Sequence, residues 1–337
     1  MNFELLETDV QQLLRPLSAA CSVGDLRLGI LSIREKWAYF LREVNRVGVI
    51  CEVAQIPAPG CRWVCHENRI TLTGSEQDFR TISRPWHFFQ YNDWAIRADW
   101  QWVTHQRASA PLSPSNTVIE SDQVFIEPGA SVECSIINAS EGPVYIGRNA
   151  TVMEGCLIRG PVAVGEGATL KMGTKIYGAT TIGPYCVAGG EIKNSLLMAY
   201  SNKAHDGYLG DSVIGRWCNL GAGTTNSNLK NTAGTVSMWH QATAAWESVG
   251  IKGGLIMGDY SRAAINTSFN TGTVVGVCCN LFGEAAPSRF VPDFSWGTER
   301  YELDKAISHL RNWKSLKGQS VTDEEIIILK QLYHQTI

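Results

Sequence analysis

The chain has 337 residues, 44% of them hydrophobic and 18% charged, enough apolar material for a packed core and too little charge for a disordered chain. Its 29 Lys and Arg against 32 Asp and Glu leave a net charge of -3, so no bulk field draws it to nucleic acid or anionic lipid. Any anion it binds must be held by a local site, and the length is near that at which a second domain forms.

The start has no basic segment leading into an apolar one, and no run of about 18 apolar residues occurs anywhere. The expectation is a cytoplasmic protein without membrane or nucleic-acid partners. Ten cysteines are dispersed over the chain, a pattern of reduced, buried thiols rather than a disulfide framework. Cys61-x-x-x-Cys65-His66 lacks a second ligand pair at zinc-ribbon spacing, so no metal is expected.

Three regimes follow in chain order. Residues 1–110 are rich in Trp and Arg and predict a small α/β domain, with a helix over 33–44 that places Trp37, Phe40, Leu41 and Val44 on one face. Arg107 to Ser115, with two prolines and small polar residues, reads as extended linker. Residues 111–290 are glycine-rich and β-branched. Residues 291–337 return to helix, where Thr322-x-x-Glu325 is a capping box for a final helix from about residue 323 and a second helix is expected over 299–313. These helices are expected to cap the open end of the middle regime.

The middle regime is a repeat. Ile146, Val152, Ile158, Val164, Leu170, Ile176 and Ile182 are each six residues apart, and Gly147, Gly165 and Gly183 recur every eighteen. Eighteen is three sixes, so the unit is a three-sided coil with one inward aliphatic residue per side and glycine where a turn needs positive φ. Ile126 and Val132 read as an earlier coil, displaced by a two-residue insertion. Between Asn231 and Leu255 the six-residue rule lapses and a hairpin or loop leaves the coil.

Within this coil the chemistry-bearing residues are few. His205 lies in Asn202-Lys203-Ala204-His205-Asp206-Gly207-Tyr208, a polar interruption. Lys175 and Lys193 are eighteen apart, which on an eighteen-residue coil stacks them on one face. Two stacked ammonium groups repel unless an anion lies beside them, so a phosphate pocket is expected there.

Lys203-Ala204-His205-Asp206-Gly207-Tyr208-Leu209-Gly210-Asp211, then Asn219-Leu220-Gly221-Ala222-Gly223-Thr224, then Asn228, resembles the acetyltransferase domain of the bacterial bifunctional N-acetylglucosamine-1-phosphate uridyltransferase and glucosamine-1-phosphate acetyltransferase family, in its alternative branch. Phe269-Asn270-Thr271-Gly272-Thr273-Val274-Val275-Gly276 belongs to the same resemblance, which covers about residues 120–300. It implies a mainly β fold, a left-handed parallel β-helix of hexapeptide repeats that assembles as a homotrimer, with acetyl coenzyme A as acyl donor and an amino-sugar 1-phosphate as acceptor. It implies His205 as general base, Asn228 beside the thioester, and Lys175, Lys193, Tyr208 and Asn219 as acceptor contacts. The family's coenzyme-contacting serine falls at about Ile265, which implies Asn266 and Thr267 as coenzyme contacts. Two positions depart from the pattern: Lys175 replaces an arginine, losing its bidentate fork, and Leu229 replaces a tyrosine.

Arg15-Pro16, Asp25-Leu26-Arg27-Leu28-Gly29-Ile30-Leu31-Ser32-Ile33-Arg34-Glu35-Lys36-Trp37 and Arg84-Pro85-Trp86 are similar to the nucleotidyltransferase domain of that branch. The Gly-x-Gly-Thr-Arg loop is missing and about 110 residues are short for a doubly wound sheet, so nucleotidyl transfer is not expected from this domain. The expected reaction is N-acetyl transfer, with His205 taking the amine proton and the Asn228 amide donating to the oxyanion. Two alternatives stand beside it: a uridyltransferase, which would use Mg2+, and a catalytically silent trimeric scaffold.

Overall fold

A computed structural model describes residues 2–283 and 286–335. The six-residue rule is the inward face of a coil: Ile146, Val152, Ile158, Val164, Leu170, Ile176 and Ile182 are all buried in one hydrophobic cluster. Each turn runs through three faces. The first is a nine-stranded sheet from Val124–Ile126 to Phe290–Val291, and the second a ten-stranded sheet from Ser131–Val132 to Glu299–Arg300. The third is a six-stranded sheet from Thr117–Ile119 to Tyr208–Gly210. Neighbouring turns pair in parallel, as in Val144–Ile146 on Val162–Val164. The architecture is a parallel β-helix that fits the left-handed form, with a small α/β domain and C-terminal helices attached. The early insertion is present, since Val124 pairs with Val144 rather than with a residue eighteen on.

The recurrent glycines act through space, which corrects the expectation of positive φ. Gly147, Gly165 and Gly183 lie outside the positive-φ set. A Cβ on Gly183 would stand 2.5 Å from the main-chain oxygen of Leu197, and one on Gly165 2.6 Å from the nitrogen of Pro184. They are glycine because the next turn passes against them. Positive φ falls two residues later, at Asn149, Gly167 and Tyr185.

The N-terminal domain has a four-stranded sheet in the order Phe3–Leu6, Val49–Glu52, Arg69–Thr73, Arg62–His66, parallel except for the last pair. Its helices are α1 (Val10–Leu13), α2 (Ile33–Glu43) and α3 (His87–Thr104). Ser32 and Glu35 close a capping box at the start of α2, which buries Ile33, Trp37, Phe40 and Leu41. The domain lies against the first face of the coil and shares a core with Leu196, Met198, Val213, Ile256 and Val274. Asn92 of α3 donates to Thr181 at 3.0 Å, and Thr181 donates to the Gly29 carbonyl at 3.0 Å.

The expected excursion is an antiparallel hairpin, Val236–His240 with Ala245–Gly250, folded onto the N-terminal domain through Arg84 and Glu247 at 2.6 Å. The C-terminal helices are α4 (Leu303–Ser315) and α5 (Asp323–Gln335), the latter started by reciprocal Thr322–Glu325 bonds of 2.9 and 3.2 Å. They pack along the corner between the first and second faces, on Trp217, Tyr260, Cys278 and Phe294, and Lys317 reaches back to the Tyr185 carbonyl. An aromatic ladder explains this: Tyr185, Tyr200 and Trp217 stack at 5.0 and 4.3 Å and leave an apolar edge for helices to cover. Among the described residues no helix is long and apolar enough to cross a membrane.

Candidate functional site

His205 stands at the corner between the second and third faces, after the strand Asn202–Lys203 and before Tyr208–Gly210. The side chain is exposed and its imidazole makes no hydrogen bond among the described residues. Beneath it is a cleft of about 390 Å³ lined by Lys171, Met172, Gly189, Gly190, Ala204, His205, Asp206, Ala222 and Gly223. The cleft has a local cause. The corner below carries four residues, Lys171 to Thr174, and the corner bearing His205 carries four, Ala204 to Gly207, but Gly189-Gly190 alone joins the strands between them. A short, side-chain-free corner is recessed between two full ones.

Beneath the imidazole the coil holds a charge. Lys203 occupies an inward position normally aliphatic, is buried, and donates to the carbonyls of His205 at 2.8 Å and Gly189 at 3.3 Å. Burial pulls its ammonium down to about 8, against the opposing pull of Asp206.

The short corner also corrects the expected lysine stack. With two residues missing, Lys175 pairs with Glu191, and Lys193 pairs with Tyr177. Lys193 lies over the Tyr177 ring at 5.4 Å, and the Tyr177 hydroxyl donates to Glu191 at 2.6 Å. A carboxylate and an aromatic ring stand where a bound anion was expected to separate two ammonium groups. Neither lysine lines the cleft at His205.

At the opposite end of the third face a polar cluster forms. Asn228 donates its amide hydrogens to the Tyr208 hydroxyl at 3.0 Å and to Asp211, which also accepts from Asn194 at 2.7 Å. Both donors of Asn228 are thus used, and its free group is the carbonyl oxygen, an acceptor. The carboxylate of Asp211 and the Tyr208 hydroxyl take the amide hydrogens that were expected to face an oxyanion. Tyr208 lies along the strand over Gly210, whose Cβ would meet the phenol oxygen at 2.3 Å. Burial, then the Asp211 charge, push the Tyr208 phenol up to about 12.

The remaining residues fall elsewhere. Asn219 is on the second face, paired with Asn202 and Arg262, with Lys317 donating to Asn202 at 2.9 Å. Asn266 and Thr267 line a cavity of about 510 Å³ near the end of the coil, shared with Leu281, Phe282 and Pro287. In one chain the expected residues therefore occupy separate places: His205 at one corner, Lys193, Tyr208 and Asn228 toward another, Asn219 on a different face. Cys61 is buried while Cys65 and His66 are exposed, and among the described residues no group of three His, Cys, Asp or Glu could hold a metal ion.

Comparison with known proteins finds relatives for part of the chain. The chain is similar to archaeal proteins named bifunctional protein GlmU. That of Methanocaldococcus jannaschii is 34% identical over 113 residues, 34% of this chain and 27% of the relative. Those of Methanococcus aeolicus and Methanococcus vannielii are 34% and 36% identical over 88 and 86 residues, each 26% of this chain and 20% of the relative. Part of the chain is GlmU-like. It spans about a quarter or less of the length of the curated relatives it matches. No family model matches it.

Sequence reasoning did not single out Lys171, and it named Lys203 only within the motif around His205, although both stand at this corner. The signal was present in the spacing: Leu170 to Ile176 is six residues, whereas Ala188 to Ile192 is four, and all four side chains are buried. That shortfall marks the recessed corner that Lys171 and His205 flank.

Proposed function

We propose that the chain transfers an acyl group, most simply acetyl, from coenzyme A to the amine of an amino-sugar 1-phosphate at the corner bearing His205. The observation that carries this reading is the exposed, unpartnered imidazole over a recessed cleft. The β-helix and the partial likeness to GlmU proteins support a transferase, and the sequence resemblance supports this acceptor class.

The chemistry needs a base for an amine that is mostly protonated near neutral pH, and imidazole suits that range. His205 takes the proton as nitrogen attacks the thioester carbonyl; main-chain N–H groups of the corner stabilise the oxyanion, and coenzyme A leaves as its thiol. The Asn228 carbonyl, fixed by Asp211 and Tyr208, accepts from the acceptor's amine and aims it. Because Asn228 and His205 lie at opposite ends of the third face in one chain, we assign the complete site to neighbouring copies of a homotrimer. Lys193 and Tyr208 of one copy then flank the sugar held at His205 of the next. The coenzyme arm follows the corner from Ala222 and Gly223 towards the cavity at Asn266 and Thr267.

Nucleotidyl transfer draws no support from the N-terminal domain. Lys36 is fully buried and paired with Asp99, so this cation does not reach a nucleotide. The test is thiol release from acetyl coenzyme A across a panel of amino-sugar 1-phosphates. His205→Ala is expected to lower turnover about 10²- to 10⁴-fold with little change in acceptor affinity. Undiminished turnover removes His205 from the mechanism.

A further inference from the structure

We infer that Lys171 is the anion anchor of the His205 cleft and holds the phosphoryl group of the acceptor there. The inference rests on the acyl-transfer reading for the acceptor's identity, but the anion site itself stands on geometry. Lys171 and His205 belong to turns on either side of the short corner and line the same cleft. The gap between them cannot be filled from within: a Cβ on Gly189 would stand 2.6 Å from the Ala204 oxygen, and one on Gly190 2.8 Å from the Gly207 oxygen. Turns are about 4.8 Å apart, so the two side chains face one another across roughly 10 Å of bare backbone. A long, flexible ammonium arm suits that span.

The charges of the cleft favour an anion. Lys171 forms no ion pair and no side-chain hydrogen bond among the described residues. Lys203 adds a buried cation beneath the corner, and Asp206 is the one carboxylate that lines the cleft. By contrast, Lys175 stands beside Glu191 and Lys193 lies on Tyr177. In a 2-amino sugar 1-phosphate the amine and the phosphate are on adjacent carbons, so one small molecule can place its anion on Lys171 and its nitrogen at His205. Lysine binds phosphate as a point charge and imposes little geometry, which leaves the sugar free to turn its amine to the imidazole.

The experiment is calorimetric titration of inorganic phosphate, glucosamine 1-phosphate and unphosphorylated glucosamine into the full chain and its variants. Lys171→Met is expected to weaken glucosamine 1-phosphate about tenfold or more, the size of a lost charge-assisted contact. Lys171→Arg should restore most of it, and the exposed Lys330→Met on α5 serves as a charge control with wild-type binding. Unphosphorylated glucosamine should not distinguish Lys171→Met from wild type. Equal phosphate binding by wild type and Lys171→Met, or no binding of either anion by wild type at millimolar concentration, overturns the assignment. If thiol release is absent while phosphate binding still depends on Lys171, the acyl-transfer reading falls and the anion site stands.

Discussion

The ammonium of Lys203 donates to the main-chain oxygen of His205 at 2.8 Å from inside the coil. A charged group thus fastens the corner that carries His205, and it does so at a protonation cost. Its amine is held down to about 8 in the folded chain against an ordinary 10.5. Between those values the unfolded chain binds more protons than the native one, so this residue makes stability rise with pH across that window. Below about 8 the burial of the charged form weighs in full. Lys203→Met should lack the rise, so urea unfolding of both proteins from pH 7 to 10.5 is expected to show wild type gaining on the variant. Parallel curves would remove Lys203 as the titrating group.

A second prediction concerns the far end of the third face. Tyr208 is pushed up to about 12 by burial first and by Asp211 second. Asp211→Asn removes the charge but not the burial, so ultraviolet titration, with Tyr208→Phe to identify the signal, should show the phenol moving part of the way back towards 10. The same substitution also frees the Asn228 amide from its carboxylate partner, and turnover should fall with it. A phenol that stays at its wild-type value would show that Asp211 exerts no field there.

The coil itself was legible because an inward position admits one kind of side chain. Seven aliphatic residues at a spacing of six are hard to produce otherwise, and all seven are buried. The final helix was legible through its Thr322–Glu325 box, and the hairpin through the lapse in spacing. The corner was not, because Gly189-Gly190 looks like any turn until residues are counted between buried neighbours. Reading eighteen through that point stacked Lys175 on Lys193 and overlooked Lys171. The separation of His205 from Asn228 at two different corners is a property of three-dimensional winding that linear spacing does not display.

The buried pair in the N-terminal domain gives a third prediction. Lys36 and Asp99 have no exposed side-chain surface, and Asp99 also accepts from the main-chain nitrogens of Ile30 at 2.8 Å and Leu31 at 3.0 Å. Burial lowers the lysine and raises the aspartate, while each partly offsets the other. Removing one partner leaves an uncompensated charge, so Lys36→Met should cost about 3–5 kcal/mol in chemical unfolding. Adding Asp99→Asn to it should recover part of that loss, because the orphaned charge goes while an oxygen remains for the two N–H groups. A double variant no more stable than Lys36→Met would mean that packing, not charge, sets the cost.

The recessed corner supplies the last. Gly189→Ala places a methyl group 2.6 Å from the Ala204 oxygen and 2.8 Å from its carbonyl carbon, both main chain, so the turn carrying His205 must move. The φ at Gly189 is not positive, so the penalty is contact rather than torsion. Overpacking of this kind costs about 1–3 kcal/mol. Gly60, remote in the N-terminal domain, is the opposite case: a Cβ there meets nothing within 4 Å, but φ is +71°, so Gly60→Ala costs about 1–2 kcal/mol in backbone strain alone. The two variants should therefore lose comparable stability and differ in function. Gly189→Ala should shift the His205 ring resonances and weaken phosphate binding, while Gly60→Ala should leave both near wild type. If phosphate binding falls equally in the two, the effect follows stability and the short corner does not shape the cleft.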